Sequence, residues 1–192
     1  MKLGIIGGAF DPVHYGHIEM GKEALIRLEL EEVWLMPCYN HVFNKKIENF
    51  SHRYRMIELA LNDVKENRMK VSDYEERRKG TSYTIDTVRG LLKENPDMEI
   101  YWIMGADVIE TFNKWKEPNE LVKLAKLVLI PRNNKKPTEI PENSILLEDI
   151  KVSDKSSTEI KKLLREGKSI EGLTTKSVID YIKEHNLYSE MK

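Results

Sequence analysis

LGIIGGAFDPVHYGH occupies residues 3–17, where an apolar run meets a glycine-rich loop and the start of a helical pattern. The run Leu3–Gly7 predicts a buried strand, and His17–Leu30 predicts a helix with apolar residues along one face. Glycines let the backbone approach a phosphate closely, and the N–H groups of such a loop and of a helix N-terminus bind anions. The segment therefore predicts a strand, a phosphate-binding loop and a helix in direct succession.

Two histidines, His14 and His17, flank the small Gly16 at the start of this predicted helix. An imidazole can donate from either ring nitrogen and carries charge when protonated, so the pair suits the oxygens of a transferring phosphoryl group. The structural alternative is a tight strand–turn–helix connection with two surface histidines. The loop has neither the G-x-G-x-x-G of a dinucleotide site nor the G-K-[ST] of a Walker loop.

The rest of the chain continues to alternate short apolar runs with helical patterns. Further strands are predicted at Glu32–Pro37, Met69–Asp73, Glu99–Met104, Leu127–Pro131 and Ile145–Leu147, and further helices at Ser51–Glu66, Thr84–Glu94 and Pro118–Lys126. This alternation implies an α/β fold with a doubly wound parallel sheet, which binds ligands beyond the carboxyl ends of its strands. Ser156–Glu166 and Thr174–Glu184 predict a C-terminal helical tail, about residues 152–192, within a single domain spanning 1–192.

The charge balance and the single cysteine limit the classes of partner. The chain has 31 lysines and arginines against 32 aspartates and glutamates, a formal net charge of −1. This argues against a nucleic-acid or anionic-membrane partner, because phosphate contacts require a basic excess. Cys38 alone forms no internal disulfide, and the apolar runs are shorter than a signal peptide or the about 20 residues of a membrane span. We therefore expect a cytoplasmic protein.

The pattern G-G-x-F-D-P-x-H-x-G-H resembles the signature of the HxGH nucleotidyltransferases, and more closely that of the bacterial nicotinate mononucleotide adenylyltransferases. The resemblance covers nearly the whole chain. It implies a Rossmann-like fold, ATP with Mg²⁺ bound through the substrate phosphates, and release of pyrophosphate. It also implies catalytic roles for His14 and His17 without a covalent enzyme intermediate. The residues of the loop that would bind ATP are Gly7, Gly8, Ala9 and Phe10.

The segment before the predicted helix Thr84–Glu94 resembles the S-Y-T-x-D-T motif of the nicotinate enzymes. The resemblance implies that Ser82, Tyr83 and Thr84 present backbone N–H groups to the pyridine carboxylate, and a helix N-terminus is a sensible place for that anion. Ordinary helix capping by the Ser and Thr side chains is the alternative. Asp86 would repel the substrate if it faced inward, so we expect it to point away or to cap the helix.

Two further residues are assigned to the mononucleotide by the same resemblance. Trp115 would stack on the pyridine ring, although a Trp is more often a core residue. Arg132, at the end of the last long apolar run, would bind the mononucleotide phosphate, because an arginine can hold a phosphate bidentately. A surface arginine is the alternative.

Gly105 and Asp107 follow a predicted strand and resemble a G-A-D motif of the family, which implies that they lie beside the nucleotide with Asp107 near a ribose hydroxyl. A polar turn that caps a helix is the alternative for Asp107.

A second phosphate-binding turn is predicted where the tail helix begins. Ser156, Ser157 and Thr158 resemble a family motif that holds the β- and γ-phosphates of ATP. Ser156 and Glu159 also fit a capping box, which needs no function. The final Arg of the family motif is Lys161 here, which would still bind ATP but keeps the charge without the guanidinium fork.

The loop after Pro37 departs from the P-P-H-K pattern that is common in the family. It reads CYNHVFNKK, residues 38–46, and we take Lys45 as the phosphate-binding lysine, with Lys46 as the alternative. His41 has no clear counterpart. Arg53 follows in a helix start that resembles the family's x-H-R-x-x-M, and we expect it to pair with a carboxylate.

Together these motifs predict adenylyl transfer from ATP to a pyridine mononucleotide, nicotinate mononucleotide above all. A nicotinamide-specific or dual-specificity enzyme, another HxGH transferase, and a non-catalytic nucleotide sensor remain as alternatives. The expected partners are ATP and the mononucleotide, without nucleic acid or membrane, and assembly into a homo-oligomer is left open.

Overall fold

A computed structural model describes residues 1–42, 46–131, 140–150 and 152–189 of the chain. Its centre is a six-stranded sheet in which every pair of neighbouring strands is parallel. In chain order the strands are β1 (Lys2–Gly8), β2 (Glu32–Pro37), β3 (Met69–Val71), β4 (Glu99–Gly105), β5 (Lys126–Ile130) and β6 (Ser144–Leu146). They lie in the order β3-β2-β1-β4-β5-β6. This is the doubly wound order of the Rossmann fold, which confirms the predicted fold class.

Helices cover both faces of this sheet. They are α1 (Tyr15–Arg27), α2 (Phe50–Val64), α3 (Tyr74–Arg78), α4 (Thr84–Glu94), α5 (Pro118–Leu124), α6 (Ser157–Arg165) and α7 (Lys176–Glu184), with a 3₁₀ helix at Ala106–Lys114. Two of these elements, α3 and the 3₁₀ helix, are not predicted by the periodicity, because both are short or irregular. No helix in the described part of the chain is long and apolar enough to cross a membrane.

The central strands β1, β4 and β5 are largely buried on both faces, as parallel strands covered by helices must be, whereas the edge strands β3 and β6 are partly exposed. Along β1, Leu3 and Ile5 pack into one apolar cluster, while Ile6 packs into another on the opposite face. The first cluster is shared with α4, α5 and the 3₁₀ helix, and the second with α1, α2, α6 and α7. The alternation of side chains along a strand therefore connects two cores through one sheet.

The helical tail packs directly on the loop between β1 and α1. The amide of Tyr15 donates to the carbonyl of Leu173 over 3.0 Å, and the hydroxyl of Thr174 donates to the carbonyl of Val13 over 2.9 Å. Ile160 and Val178 of the tail are fully buried in the core. The tail thus forms a wall of the region that the sequence assigns to ATP.

Candidate active site

Three neighbouring strands, β2, β1 and β4, bring their carboxyl ends to one edge of the sheet. The amide of Cys38, just after β2, donates to the carbonyl of Gly8 at the end of β1 over 2.8 Å. The strands β1, β2 and β3 are added toward one side of the sheet, and β4, β5 and β6 are then added on the other side of β1, so the strand order reverses between β1 and β4. Such a switch point leaves a crevice between the flanking loops, which is where open α/β sheets bind ligands.

A cavity of about 420 Å³ occupies this edge of the sheet. A volume of this size is typical of small-molecule sites. Its walls are formed by Gly7, Gly8, Ala9, Cys38, His41, Val42, Glu75, Ser82, Tyr83, Thr84, Trp102, Val108, Thr111, Lys114, Trp115 and Lys116. The structure therefore brings together in one cavity the glycines of the first loop, the helix-start segment at residues 82–84 and Trp115.

The floor of the cavity depends on a close approach between Gly7 and Trp102. A Cβ atom placed on Gly7 would lie 2.5 Å from Cζ2 of the Trp102 indole, which no real contact tolerates. Gly7 is thus required by packing, whatever its part in binding phosphate. The sequence did not identify Trp102 as a cavity residue, because within an apolar strand a Trp looks like ordinary core.

His14 and His17 form a stacked pair at the start of α1. Their ring centroids are 3.8 Å apart with the planes inclined by 29°. His14 is the N-cap residue and is only 2% exposed, whereas His17 is half-buried. The helix therefore begins at Tyr15, and the prediction that it starts at His17 is wrong by two residues. Its first turn is set by the extended backbone of His14.

The ring of His17 has one nitrogen fixed by the backbone. The amide of His14 donates to Nδ1 of His17 over 3.3 Å, so in the neutral ring the proton lies on Nε2. Phe10 packs against the same ring at a centroid distance of 4.7 Å. Phe10 is itself 1% exposed and has a left-handed φ of 49°, a strained conformation that is common beside functional sites. His17 is thus held as a donor through Nε2.

Gly16 separates the two histidines because a side chain does not fit there. A Cβ atom would lie 2.9 Å from the carbonyl oxygen of Ser153 and 3.1 Å from the His14 ring. We expect Gly16→Ala to destabilise the protein by about 1–3 kcal/mol, the usual cost of overpacking, and to slow turnover by displacing His14. Thermal melting and steady-state kinetics measure both effects.

The helical position of Gly16 makes this test informative. Alanine is favoured over glycine inside a helix by about 0.5–1 kcal/mol, so propensity alone would make Gly16→Ala more stable. A variant with an unchanged or higher melting temperature would contradict the steric role of this position.

The start of α6 packs against the first loop. Ser156 caps the helix by accepting from the amide of Glu159 over 3.2 Å, which confirms the capping function predicted for Ser156. The carboxylate of Glu159 instead pairs with Lys155 at 3.0 Å. Ser157 donates its hydroxyl to the carbonyl of Pro12 over 2.8 Å. The positive N-terminal ends of α1 and α6 are therefore joined through one loop, while binding of phosphate by Ser156, Ser157 and Thr158 stays a prediction.

Lys161 makes a buried ion pair with Asp11 of the first loop. Its Nζ lies 2.7 Å from Oδ2 of Asp11, and the two side chains are 7% and 2% exposed. The other oxygen of Asp11 accepts from the hydroxyl of Tyr188 over 2.9 Å and from the amide of Glu48 over 3.2 Å. Burial and the neighbouring Asp11 carboxylate raise the pKa of Tyr188 well above its usual range. Lys161 thus has a structural partner, and binding of ATP by Lys161 stays a prediction.

The helix-start segment at residues 82–84 lies where α4 begins. Tyr83 is the N-cap residue and makes no side-chain cap, so the alternative of ordinary capping is not observed. The hydroxyl of Ser82 accepts from the amide of Tyr39 over 2.9 Å. Asp86 pairs with Lys116, with a carboxylate–ammonium distance of 2.8 Å, and does not cap the helix. The first amides of α4 thus border the cavity with Asp86 already neutralised.

The remaining predicted residues divide between the cavity and its surroundings. Trp115 follows the 3₁₀ helix and contacts Phe112 at a centroid distance of 5.5 Å. Gly105 ends β4 and is buried, whereas Asp107 is exposed in the first turn of the 3₁₀ helix. The predictions for Lys45 and Arg132 fall outside the described residues.

Arg53 differs from its predicted environment. Its guanidinium is 1% exposed and donates to the carbonyls of Ala9, Cys38 and Glu48 over 2.7–2.8 Å. The expected carboxylate partner is thus replaced by three backbone carbonyls. Arg53 connects the loops that follow β1 and β2 to the segment before α2.

Glu75 is a cavity residue for which no role is predicted from the sequence. It is 4% exposed and lies on α3, a helix too short to give a periodic signal. Its nearness to the helix-start segment in the chain is the only signal that could have indicated it. Within the described residues, no group of three or more His, Cys, Asp or Glu side chains is arranged to hold a metal ion.

Comparison with known proteins matches residues 5–163 to the family described as cytidylyltransferase-like. Two curated relatives, both named "Probable nicotinate-nucleotide adenylyltransferase", come from Clostridium tetani and Enterococcus faecalis. The first is 34% identical over 97% of this chain and 98% of its own length, and the second is 38% identical over 98% and 85%.

The fold is also similar to a solved structure of the Plasmodium falciparum nicotinic acid mononucleotide adenylyltransferase complexed with NaAD. The TM-score is 0.85, with 24% identity and 97% of each chain covered. At 24% identity this similarity supports the fold alone, and the family relationship rests on the curated relatives, which are 34% and 38% identical. The chain therefore belongs to the cytidylyltransferase-like family of nucleotidyltransferases and, within it, to the group of the nicotinate-nucleotide adenylyltransferases.

Proposed function

We propose that this protein transfers the adenylyl group of ATP to nicotinate mononucleotide, giving nicotinate adenine dinucleotide and pyrophosphate. The relatives support adenylyl transfer in NAD biosynthesis as the general activity. The observation that supports nicotinate mononucleotide as the acceptor is the lining of the cavity. The cavity joins the glycines at the end of β1 to the start of α4 and to an indole, so a phosphate and a ring carboxylate can be bound at its two ends.

The triphosphate half of the reaction uses the loop between β1 and α1. A phosphate oxygen of the mononucleotide attacks the α-phosphorus of ATP in line, and pyrophosphate leaves. Such a reaction depends on positioning and charge stabilisation more than on proton transfer. His17 presents an Nε2–H donor, and the N-terminal ends of α1 and α6 add their partial positive charge.

The residues present fit a magnesium ion that is bound through the substrate. Asp11 is the carboxylate of the first loop, and it is already occupied by Lys161, Tyr188 and the amide of Glu48. It is therefore a poor direct ligand, while Mg²⁺ commonly binds through phosphates and water. When bound in that way, the ion would neutralise charge on the leaving pyrophosphate.

The acceptor half uses the amide of Thr84 at the start of α4, because the amides of Ser82 and Tyr83 already donate to the carbonyls of Asn40 and Thr81 over 3.1 and 3.0 Å. Backbone N–H donors and the helix dipole favour a full negative charge over a neutral carboxamide. A carboxamide brings its own N–H groups to these donors, and each buried polar mismatch costs about 1–3 kcal/mol, or roughly 5- to 150-fold. Trp115 lies in the cavity wall, where its indole can stack on a pyridine ring.

We expect kcat/KM for nicotinate mononucleotide to exceed that for nicotinamide mononucleotide at least about tenfold at saturating ATP and Mg²⁺. Pyrophosphate release with each acceptor separately measures the ratio, and phosphopantetheine serves as the control acceptor. A ratio near one would indicate a dual-specificity enzyme, and an inverted ratio a nicotinamide enzyme. Reaction with phosphopantetheine alone would contradict the assignment, and no reaction with any acceptor would favour a nucleotide sensor.

A further inference from the structure

Glu75 is a buried carboxyl group in the wall of the cavity. It is the second residue of α3 and is 4% exposed. Its Oε1 accepts from the hydroxyl of Thr87, in the first turns of α4, over 2.8 Å. Its Oε2 is buried without a well-formed hydrogen bond to a described residue. Glu75 therefore lies in the cavity wall with one buried oxygen that lacks a well-formed hydrogen bond, close to the Ser82 hydroxyl and the Tyr39 amide.

The surroundings of Glu75 favour its neutral form. Burial raises the pKa of Glu75, and this effect outweighs the opposing influence of the Ser82 and Thr87 hydroxyls, the charge of Arg78 on the same helix and the amide of Tyr39. The Cys38 thiol also lies close by, and its own pKa is raised to about 11 by burial, so it stays neutral at ordinary pH. Lys116 on the cavity wall is paired with Asp86.

Other titratable groups also line the cavity. His41 lies in the loop after β2, and Lys114 ends the 3₁₀ helix. Arg78 donates to the carbonyl of Thr81 over 2.9 Å, so it is directed to the loop that carries Ser82. The carboxyl of Glu75 thus lies beside the same helix start that the proposed function assigns to the ring carboxylate.

We infer that Glu75 is a specificity-determining residue, whose protonation sets how strongly the cavity prefers a carboxylate over a carboxamide on the acceptor ring. The inference rests on the proposed function and concerns the same cavity. A protonated Glu75 can donate to a ring carboxylate. An ionised Glu75 repels that carboxylate and accepts from the N–H group of a carboxamide.

The sign of the pH dependence follows from this coupling. Binding of a carboxylate stabilises the proton on Glu75, and by reciprocity the proton stabilises the bound carboxylate. The preference for nicotinate mononucleotide is therefore largest at low pH and falls as the pH rises through the pKa of Glu75. A nearby like charge shifts a carboxyl pKa by about one unit or more, which corresponds to about tenfold in the preference.

The test is a competition in which both mononucleotides are present and the two dinucleotide products are quantified. The product ratio cancels effects of pH on ATP, Mg²⁺ and the shared phosphate chemistry. As the pH is raised across the range in which the protein stays folded and active, the wild-type ratio should fall about tenfold or more. Glu75→Gln carries no titrating proton, so its ratio should stay constant and exceed the wild-type ratio at the upper end.

Two further variants sharpen this test. Glu76→Gln removes the neighbouring charge, which pairs with Lys79 on the surface, and should leave the pH profile of the ratio unchanged. Thr87→Val removes the donor that stabilises ionised Glu75, so the fall in the ratio should move to higher pH. Thr87→Val also provides a measurement if Glu75→Gln does not fold.

The outcomes separate this inference from the proposed function. If neither mononucleotide reacts with the wild-type protein, the proposed function fails. If both react and Glu75→Gln follows the wild-type ratio at every pH, the inference about Glu75 is overturned while the proposed function stands. The inference about Glu75 is also overturned if the wild-type ratio is constant with pH and Glu75→Gln has the same ratio.

Discussion

Replacement of His17 by alanine is expected to lower kcat by roughly 10²–10³-fold, the scale for losing one preorganised donor to a developing oxyanion. The structure gives the reason. Nδ1 of His17 is engaged by the amide of His14, which leaves Nε2–H as the donor, and stacking on His14 and Phe10 fixes the ring. Such a donor acts without reorganisation at the moment of reaction. Steady-state kinetics with ATP and nicotinate mononucleotide measure the loss.

The same substitution should have little effect on the fold. His17 is half-buried, and its ring contributes one capping hydrogen bond, whose loss costs about 1 kcal/mol and lowers the melting temperature by about 2–4 °C. His185→Ala is the matched control, since His185 is exposed at the end of α7, and it should keep wild-type kinetics.

The division between kcat and KM tests the role more closely. An interaction made only in the transition state lowers kcat and kcat/KM by the same factor. If His17→Ala raises KM for ATP and leaves kcat unchanged, His17 stabilises the bound ground state and the transition state equally and does not act on the chemical step. Full activity in this variant would show that the stacked pair is structural.

The general architecture can be predicted from the sequence because its signals are local. The run after Met1 is apolar and leads into glycines, and Tyr83–Thr84 open a periodic helix, so each motif is recognisable within a few residues. Parallel strands then bring those motifs to one edge of the sheet. The order β3-β2-β1-β4-β5-β6 is one of the orders of the doubly wound class, and the alternation of strands and helices indicates that class but not the order.

The start of α1 could not be placed from standard capping rules. A capping box is recognised by Ser or Thr at the N-cap and Glu or Gln three residues later. Here the two positions are His14 and His17, which make an equivalent reciprocal arrangement. Because both histidines had been assigned to phosphate binding, their second role as helix caps was missed.

Contacts between distant parts of the chain are the other feature that the sequence does not reveal. Lys161 resembles a phosphate-binding cation when only its own segment is considered, and its carboxylate partner Asp11 lies 150 residues earlier. Glu75 was missed for a related reason, since nothing local distinguishes it from Glu76, its neighbour. Burial in the folded chain is what separates the two. Such pairs depend on how the tail folds back over the first loop.

Asp11→Asn is the substitution with the largest expected effect on stability. Asp11 and Lys161 are almost fully buried, and removing one partner of such an ion pair leaves an uncompensated charge, at a cost of about 3–5 kcal/mol. A typical domain is stable by only about 5–15 kcal/mol, so much of the folded state's margin would be lost. Asparagine still offers an oxygen to Tyr188 and to the amide of Glu48, so the loss reports mainly on Lys161. Chemical denaturation measures the free energy of unfolding.

The double variant Asp11→Asn, Lys161→Met decides whether the unpaired ammonium causes that loss. Methionine removes the buried charge at similar length, so the double variant should be more stable than Asp11→Asn alone. Asp180→Ala is the control for ordinary ion pairs, because Asp180 pairs with Lys176 on the surface, and its effect should be within error. A double variant no more stable than Asp11→Asn would show that the hydrogen bonds of Asp11, not its charge, hold the tail. If the double variant recovers stability but binds ATP weakly, then Lys161 contributes to binding of the triphosphate in addition to pairing with Asp11. In that case the same ion pair supports both the stability of the fold and the binding site.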